Sequence, residues 1–135
     1  MSGNIVTSGE SLGGFFFGPP EAVTGESAIV AEIPASIRSK QKLLRILADQ
    51  LQLPAYFGHN WDALEECLRD LSWLPAGNVQ VRHRDLPLPP GSRDRRIYLQ
   101  ILRAATAFWV ESGSRLLVCQ FPAETQGEAL SQVGN

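Results

Sequence analysis

Short apolar runs separated by segments of helical period leave this chain few folds to choose from. Residues 28–33, AIVAEI, read as a short buried strand ended by Pro34. Ile37, Leu43, Leu44, Leu47 and Leu51 then recur at helical spacing behind Ser39, a natural N-cap. The helix stops at Leu53-Pro54, because the residue before a proline is pushed out of the helical region. Asn60 caps a second helix with Trp61, Leu64, Cys67, Leu68 and Leu71 on its inner face. Val79 and Val81 mark a strand with polar residues alternating outward, and the prolines between Leu86 and Ser92 force a loop. A long helix runs from about Arg93 to Ser112, burying Ile97, Ile101, Leu102, Ala105 and either Phe108 or Trp109, and Gly113 closes it. Leu116, Leu117, Val118 and Phe121 form the last strand. The order strand, helix, helix, strand, helix, strand requires a parallel sheet with crossover helices, an α/β architecture whose crossovers are right-handed.

Beside this domain, assigned to residues 27–121, the flanks look different. Residues 1–26 hold six of the twelve glycines together with Pro19-Pro20 and read as a Gly/Pro-rich N-terminal extension. The Phe15-Phe16-Phe17 triplet could dock on the domain as an added strand, yet the stretch is expected to be dispensable for folding. Residues 122–135 are expected to form a flexible C-terminal tail.

Composition excludes several function classes. Acids number 14 against 12 bases, so gross positive charge does not make this a polyanion binder. No apolar run approaches the ~20 residues of a membrane span. No basic region precedes the Phe triplet, as a secretory leader would require, and the expectation is a cytoplasmic protein. Cys67 and Cys119 form neither a CxxC nor a zinc-type spacing and are expected to be reduced, buried thiols. Gly13-Gly14 lacks the Lys-Ser/Thr that would make it a phosphate loop. His59 and Cys67, separated by a helix start, give no nucleophile–base dyad, and Asp62 with Glu66 lacks a third ligand. No enzyme activity, cofactor or metal is therefore expected. The basic stretch 82–96 has no interleaved aromatic platform and is broken by Asp85, Asp94 and prolines, which disfavours nucleic acid as a partner. His83 reads as a surface residue of its strand.

The charge is concentrated in one place. Residues 53–72 carry Asp62, Glu65, Glu66 and Asp70 against Arg69 alone. On a helix starting after Asn60, Asp62, Glu66 and Asp70 fall four apart and share one face, with Glu65 beside it. Like charges at that spacing repel by roughly 0.2–0.5 kcal/mol per pair, so the face is not optimised for the isolated helix. Asp62 alone lies in the first turn, where the helix dipole favours an anion.

The stretch LPAYFGHNWDALEECLRDLSWLP, residues 53–75, resembles the barstar-like inhibitors of guanyl-specific ribonucleases. Leu53-Pro54, Tyr56, the aromatic at Phe57, Gly58, Asn60, Asp62-Ala63-Leu64 and Cys67-Leu68 carry the match, and Ile37, Arg38, Ser39, Leu43, Leu47 and Leu51 extend it upstream. The resemblance implies a small three-stranded parallel sheet flanked by helices. It also implies that the acidic helix, residues 60–71, and the turn before it plug the active site of a secreted or toxin-type ribonuclease. Such a cleft grips phosphate with cations, and carboxylates on a rigid helix can stand in for the phosphates. Facing patches of opposite charge also speed encounter, an effect for which the ribonuclease–inhibitor pair of this family is the standard example. By resemblance, Tyr56 lies against the enzyme, Asp62 is a contact acid, and Glu66 takes the place of the family's dominant aspartate. Gly58 and Asn60 shape the turn and the helix start, with Phe57 and His59 at the edge of the interface.

Departures from the family pattern define the alternative. Glu65 replaces a tryptophan, and Ala104 and Phe108 stand where the family places two further acids on the later helix. A barstar-fold interaction module whose partner is not a ribonuclease is the competing reading.

Overall fold

The structure, a computed structural model, describes residues 6–7, 10–12 and 14–133. Its strands are β1 (Val6–Thr7), β2 (Glu10–Leu12), β3 (Phe15–Phe17), β4 (Val23–Thr24), β5 (Ile29–Ile33), β6 (Val79–His83) and β7 (Leu117–Phe121). Its helices are α1 (Lys40–Gln50), α2 (Trp61–Leu68), α3 (Arg93–Ser112) and α4 (Gln126–Val133). A parallel sheet flanked by helices is present, as expected, but it is larger than three strands: five strands lie in the order β2-β3-β7-β6-β5. β5, β6 and β7 form the expected parallel core, with Ala31 opposite Val81 and Val81 opposite Cys119. β3 adds a parallel strand beyond β7, with Phe15 opposite Cys119 and Phe17 opposite Phe121, and β2 pairs antiparallel on β3.

That arrangement corrects the reading of both flanks. All three phenylalanines of the triplet are buried, so this part of the stretch docks as an added strand and belongs to the core. Two of them, Phe15 and Phe17, pack on Phe121 on the helical side of the sheet, at ring distances of 5.2 and 5.7 Å. Phe16 faces the other way and, with Val23 and Val118, makes a small second core on the back. Gly14 lets β3 come this close: a Cβ there would stand 2.3 Å from Thr106 Cβ and 2.7 Å from the Leu117 carbonyl. The expected flexible tail likewise contains α4, because Ala129 is fully buried in the main core and Glu128 pairs with Arg95. Residues 134–135 lie outside the described residues.

With both faces covered, β6 is buried almost throughout, and the expected outward alternation is absent. Gln80 is buried and donates to Ser27 Oγ at 2.8 Å. His83, expected at the surface, is 2 % exposed. It stacks on Phe121 at 4.2 Å, and its ring nitrogens contact the Gln120 carbonyl and the Tyr98 hydroxyl at 2.9 and 2.8 Å. Burial lowers its pKa to about 4, partly offset by the Gln120 carbonyl, so the ring is neutral near pH 7. Arg95, counted in the basic stretch, is also buried. It donates to the carbonyls of Leu86, Pro87 and Leu88 and thereby holds the proline loop.

The helix signals behave as local rules require. Ser39 accepts from Lys42 N, and Gly113 takes φ 75° at the end of α3. Ile37 precedes α1 and is buried in the core without being helical. Of the two neighbouring aromatics near the end of α3, Trp109 is buried, whereas Phe108 is 41 % exposed. Among the described residues, no helix is long and apolar enough to cross a membrane.

Candidate protein-binding site

The polypeptide from Tyr56 to Asp70 is held by capping at its entrance and by tryptophans along its length. Asn60 Oδ1 accepts from Ala63 N at 2.8 Å, and Asn60 Nδ2 donates to the Gly58 carbonyl at 3.4 Å. The left-handed residue of the turn is His59, with φ 54°, and not Gly58. Gly58 serves through its size, since a Cβ there would come within 3.1 Å of Asn60 Nδ2. Phe57 is buried beneath the turn, with its ring 4.8 Å from that of His59.

Three indoles then fix the helix and its flanks. Trp61 Nε1 donates to Asp94 Oδ1 at 3.3 Å, and Lys40 Nζ sits 5.3 Å above the Trp61 ring. At the other end, Trp109 Nε1 of α3 donates to the Leu68 carbonyl at 2.7 Å. Trp73 Nε1 closes the following turn on the Leu51 carbonyl at 3.0 Å. A helix of 8 residues is too short to be stable by itself, so this tertiary pinning sets its orientation.

α2 ends at Leu68, earlier than the periodicity suggested, and Leu71 has φ 52°. Asp70 consequently lies in the turn after the helix rather than two turns along its acidic face. It remains beside Glu66, because both line a concavity of about 480 Å³. Tyr56, Phe57 and Phe108 supply its aromatic lining, Ala63 and Cys67 its α2 side, and Arg69 completes it. Tyr56 is 74 % exposed. Asp62 is exposed on the first turn but lies outside the concavity, next to Gly58, His59 and Asn60, which are also exposed. Glu65 is set apart: it is half-buried and pairs with Arg69 at 4.0 Å.

The nine residues singled out by sequence therefore divide. Tyr56, Phe57, Glu66 and Asp70 converge on one concavity, whereas Gly58, His59, Asn60 and Asp62 are exposed outside its lining, and half-buried Glu65 also lies outside it. Phe108 and Arg69 were missed. The helical period could not single out Phe108, because it falls seven residues after Ile101 and three after Ala105, at the edge of the buried stripe. Chemically, the surface offers free carboxylates beside exposed aromatic rings, a setting for a cationic or ring-bearing group of another protein. Cys67 does not turn it into a reactive centre. Burial, with the carboxylates of Asp70 and Glu66, raises its pKa and keeps the thiol protonated. Among the described residues, no three metal-binding side chains cluster.

A family model described as Barstar (barnase inhibitor) matches residues 30–120, a span that includes this turn, helix and concavity. The search of curated proteins found no match.

Proposed function

The chain belongs to the barstar family, described as barnase inhibitors, and from that premise we propose that it is a proteinaceous ribonuclease inhibitor of the antitoxin or self-protection type. α2 and the turn before it enter the active-site cleft of a secreted or toxin-type ribonuclease and act by occupancy, without chemistry. The observation that carries this reading is the concavity, in which Glu66 of α2, a helix pinned at both ends, and Asp70 in the turn after it stand beside exposed Tyr56. Preorganised carboxylates meet the enzyme's cations without first losing side-chain and backbone freedom. Glu66 is one methylene longer than aspartate, which keeps the charge and adds a rotamer to immobilise. Two free, buried cysteines are consistent with residence in the cytoplasm.

Titrating RNA cleavage by a guanyl-specific ribonuclease tests the proposal. Wild type should inhibit at stoichiometric concentration. Asp62→Lys/Glu66→Lys should fail to inhibit, because two cations would face a basic cleft. Its circular dichroism should be unchanged, since exposed substitutions usually shift stability by less than ~0.5 kcal/mol. Equal inhibition by wild type and a folded double variant would remove the acidic surface from the mechanism.

Exposed Phe108 favours a second reading, an interaction module whose partner is not a ribonuclease. An apolar ring lining the acidic concavity suits a partner with apolar contact surface as well as charge. Absence of inhibition by wild type across guanyl-specific ribonucleases would support that alternative.

A further inference from the structure

The back of the sheet, away from α1–α3, carries a cleft of about 630 Å³ at the C-terminal ends of the parallel strands. Loops beyond parallel strand ends are where open α/β sheets commonly accept ligands. Pro19, Pro20, Pro122 and Ala123 give this cleft apolar walls. Across its floor runs a polar row, Glu32 on β5, Arg82 on β6 and Gln120 on β7, each opposite the next in register.

The polar groups of that row are only partly used. Gln120 is 1 % exposed, and its Nε2 donates to the Gly18 carbonyl at 2.6 Å. Its Oε1 is buried with no hydrogen-bond partner, an acceptor that proteins seldom leave unused. Arg82 spends Nε on Gln80 Oε1 at 3.2 Å and Nη1 on Glu32 at 3.4 Å, which leaves Nη2 for a guest. Arg84 stands exposed at the rim and, among the described residues, in no ion pair. The cationic Arg82 and Arg84 are balanced by the carboxylates of Glu32 and Glu124 in the same lining. In this balanced lining Arg82 and Glu32 are already paired, while Arg84 and Glu124 have no ion pair among the described residues. Such a lining suits a zwitterion and disfavours a polyanion such as a nucleoside triphosphate.

We propose that this cleft binds a small amino carboxylate, a free α-amino acid or a dipeptide. Its carboxylate meets the guanidinium groups of Arg82 and Arg84, its ammonium or amide N–H donates to Gln120 Oε1 with Glu124 nearby, and its side chain lies along the proline walls. The site is on the opposite face of the sheet from α2, so it is independent of ribonuclease inhibition.

NMR titration of the full chain with a panel of amino acids and dipeptides, following the side-chain amide of Gln120 and the Nε–H of Arg82, tests this. At least one zwitterion should give saturable shifts of both signals. Its methyl ester and its N-acetyl derivative should each bind about tenfold more weakly or worse, since each removes one charge-assisted contact. Exposed Arg84→Ala should weaken binding by about tenfold, and Glu66→Lys on the other face should leave it unchanged. No saturable shift with any zwitterion, or equal binding by Arg84→Ala, would overturn the proposal. So would binding of a nucleoside monophosphate or inorganic phosphate without any zwitterion. Any of these failures would leave inhibition by α2 untouched.

Discussion

The turn and helix from Tyr56 to Asp70 and the strand Phe15–Phe17 are both too short to be stable alone, yet they are specified in opposite ways. α2 carries its instructions locally: Asn60 caps it, and Leu64, Cys67 and Leu68 fall at helical spacing. β3 carries almost none. Three phenylalanines between glycines are compatible with a loop, and only the neighbouring β7 turns them into a strand. The functional surface is thus built on an element that tertiary contacts merely orient. The sheet is extended beyond β7 by one that tertiary contacts create.

The largest expected effect tests whether β3 is integral. Deleting residues 1–26 removes three buried phenylalanines, each contributing ~1.5–3 kcal/mol. The total is comparable with the ~5–15 kcal/mol stability of an ordinary domain. Urea unfolding followed by circular dichroism should show no cooperative transition for the deletion. A transition like that of the full chain would mean that β3 is an appendage after all.

The next effect comes from His83, whose cover includes the same aromatic stack, since Phe17 packs on Phe121 and Phe121 on His83. Its folded-state pKa of about 4 lies below the 6.5 of the unfolded chain. Between those values the unfolded state binds the extra proton, so stability falls as pH drops from 6.5 toward 4. The loss from this group is roughly 3 kcal/mol. Chemical denaturation over that range should show a loss in wild type beyond the loss in His83→Gln, which has no imidazole to titrate. Parallel curves for the two proteins would show that solvent reaches the ring.

What was legible in the sequence follows the same division. Caps at Ser39, Asn60 and Gly113 and the parallel order of β5, β6 and β7 could be read because each rests on local geometry or on element order. His83, Gln80 and Arg95 could not, because their burial depends on segments distant in sequence: β7 with Tyr98, Ser27, and Glu128 of α4. In the site, Glu66 and Tyr56 were legible from the resemblance and the helical face. Asp70 was misplaced because α2 ends at Leu68 and the chain turns on through Leu71 at positive φ, without a glycine to announce it.

A smaller change probes the pinning of α2. Trp109→Phe keeps most of the ring's packing but leaves the Leu68 carbonyl without its indole donor. An unsatisfied buried carbonyl costs ~1–3 kcal/mol. Denaturant midpoints should fall accordingly. Inhibition should weaken as well, because the C-terminal end of α2 is freer to move before binding. Unchanged inhibition alongside the stability loss would show that Trp109 does not orient the surface.

The smallest expected effect separates the residue that sequence placed in the site from those the structure brings together there. Glu65 was grouped with Asp62, Glu66 and Asp70 because four acids crowd one short segment. In the structure it lies outside the concavity and shares an ion pair with Arg69 at 4.0 Å, both side chains being nearly half exposed. Pairs of that kind contribute ~0.2–1 kcal/mol at most. Glu65→Ala should therefore shift stability by about 0.5 kcal/mol or less. Its effect on inhibition should be indirect: Arg69, released from Glu65 and already in the concavity lining, can approach Glu66 and Asp70 and screen part of their charge. Association should slow slightly and dissociation should not change, since rim charges act mainly on the encounter. Glu66→Ala should lose far more, through dissociation. Comparable losses for the two alanine variants, measured by stopped-flow mixing with the ribonuclease, would mean that the partner grips the whole acidic segment and that the concavity does not define the site.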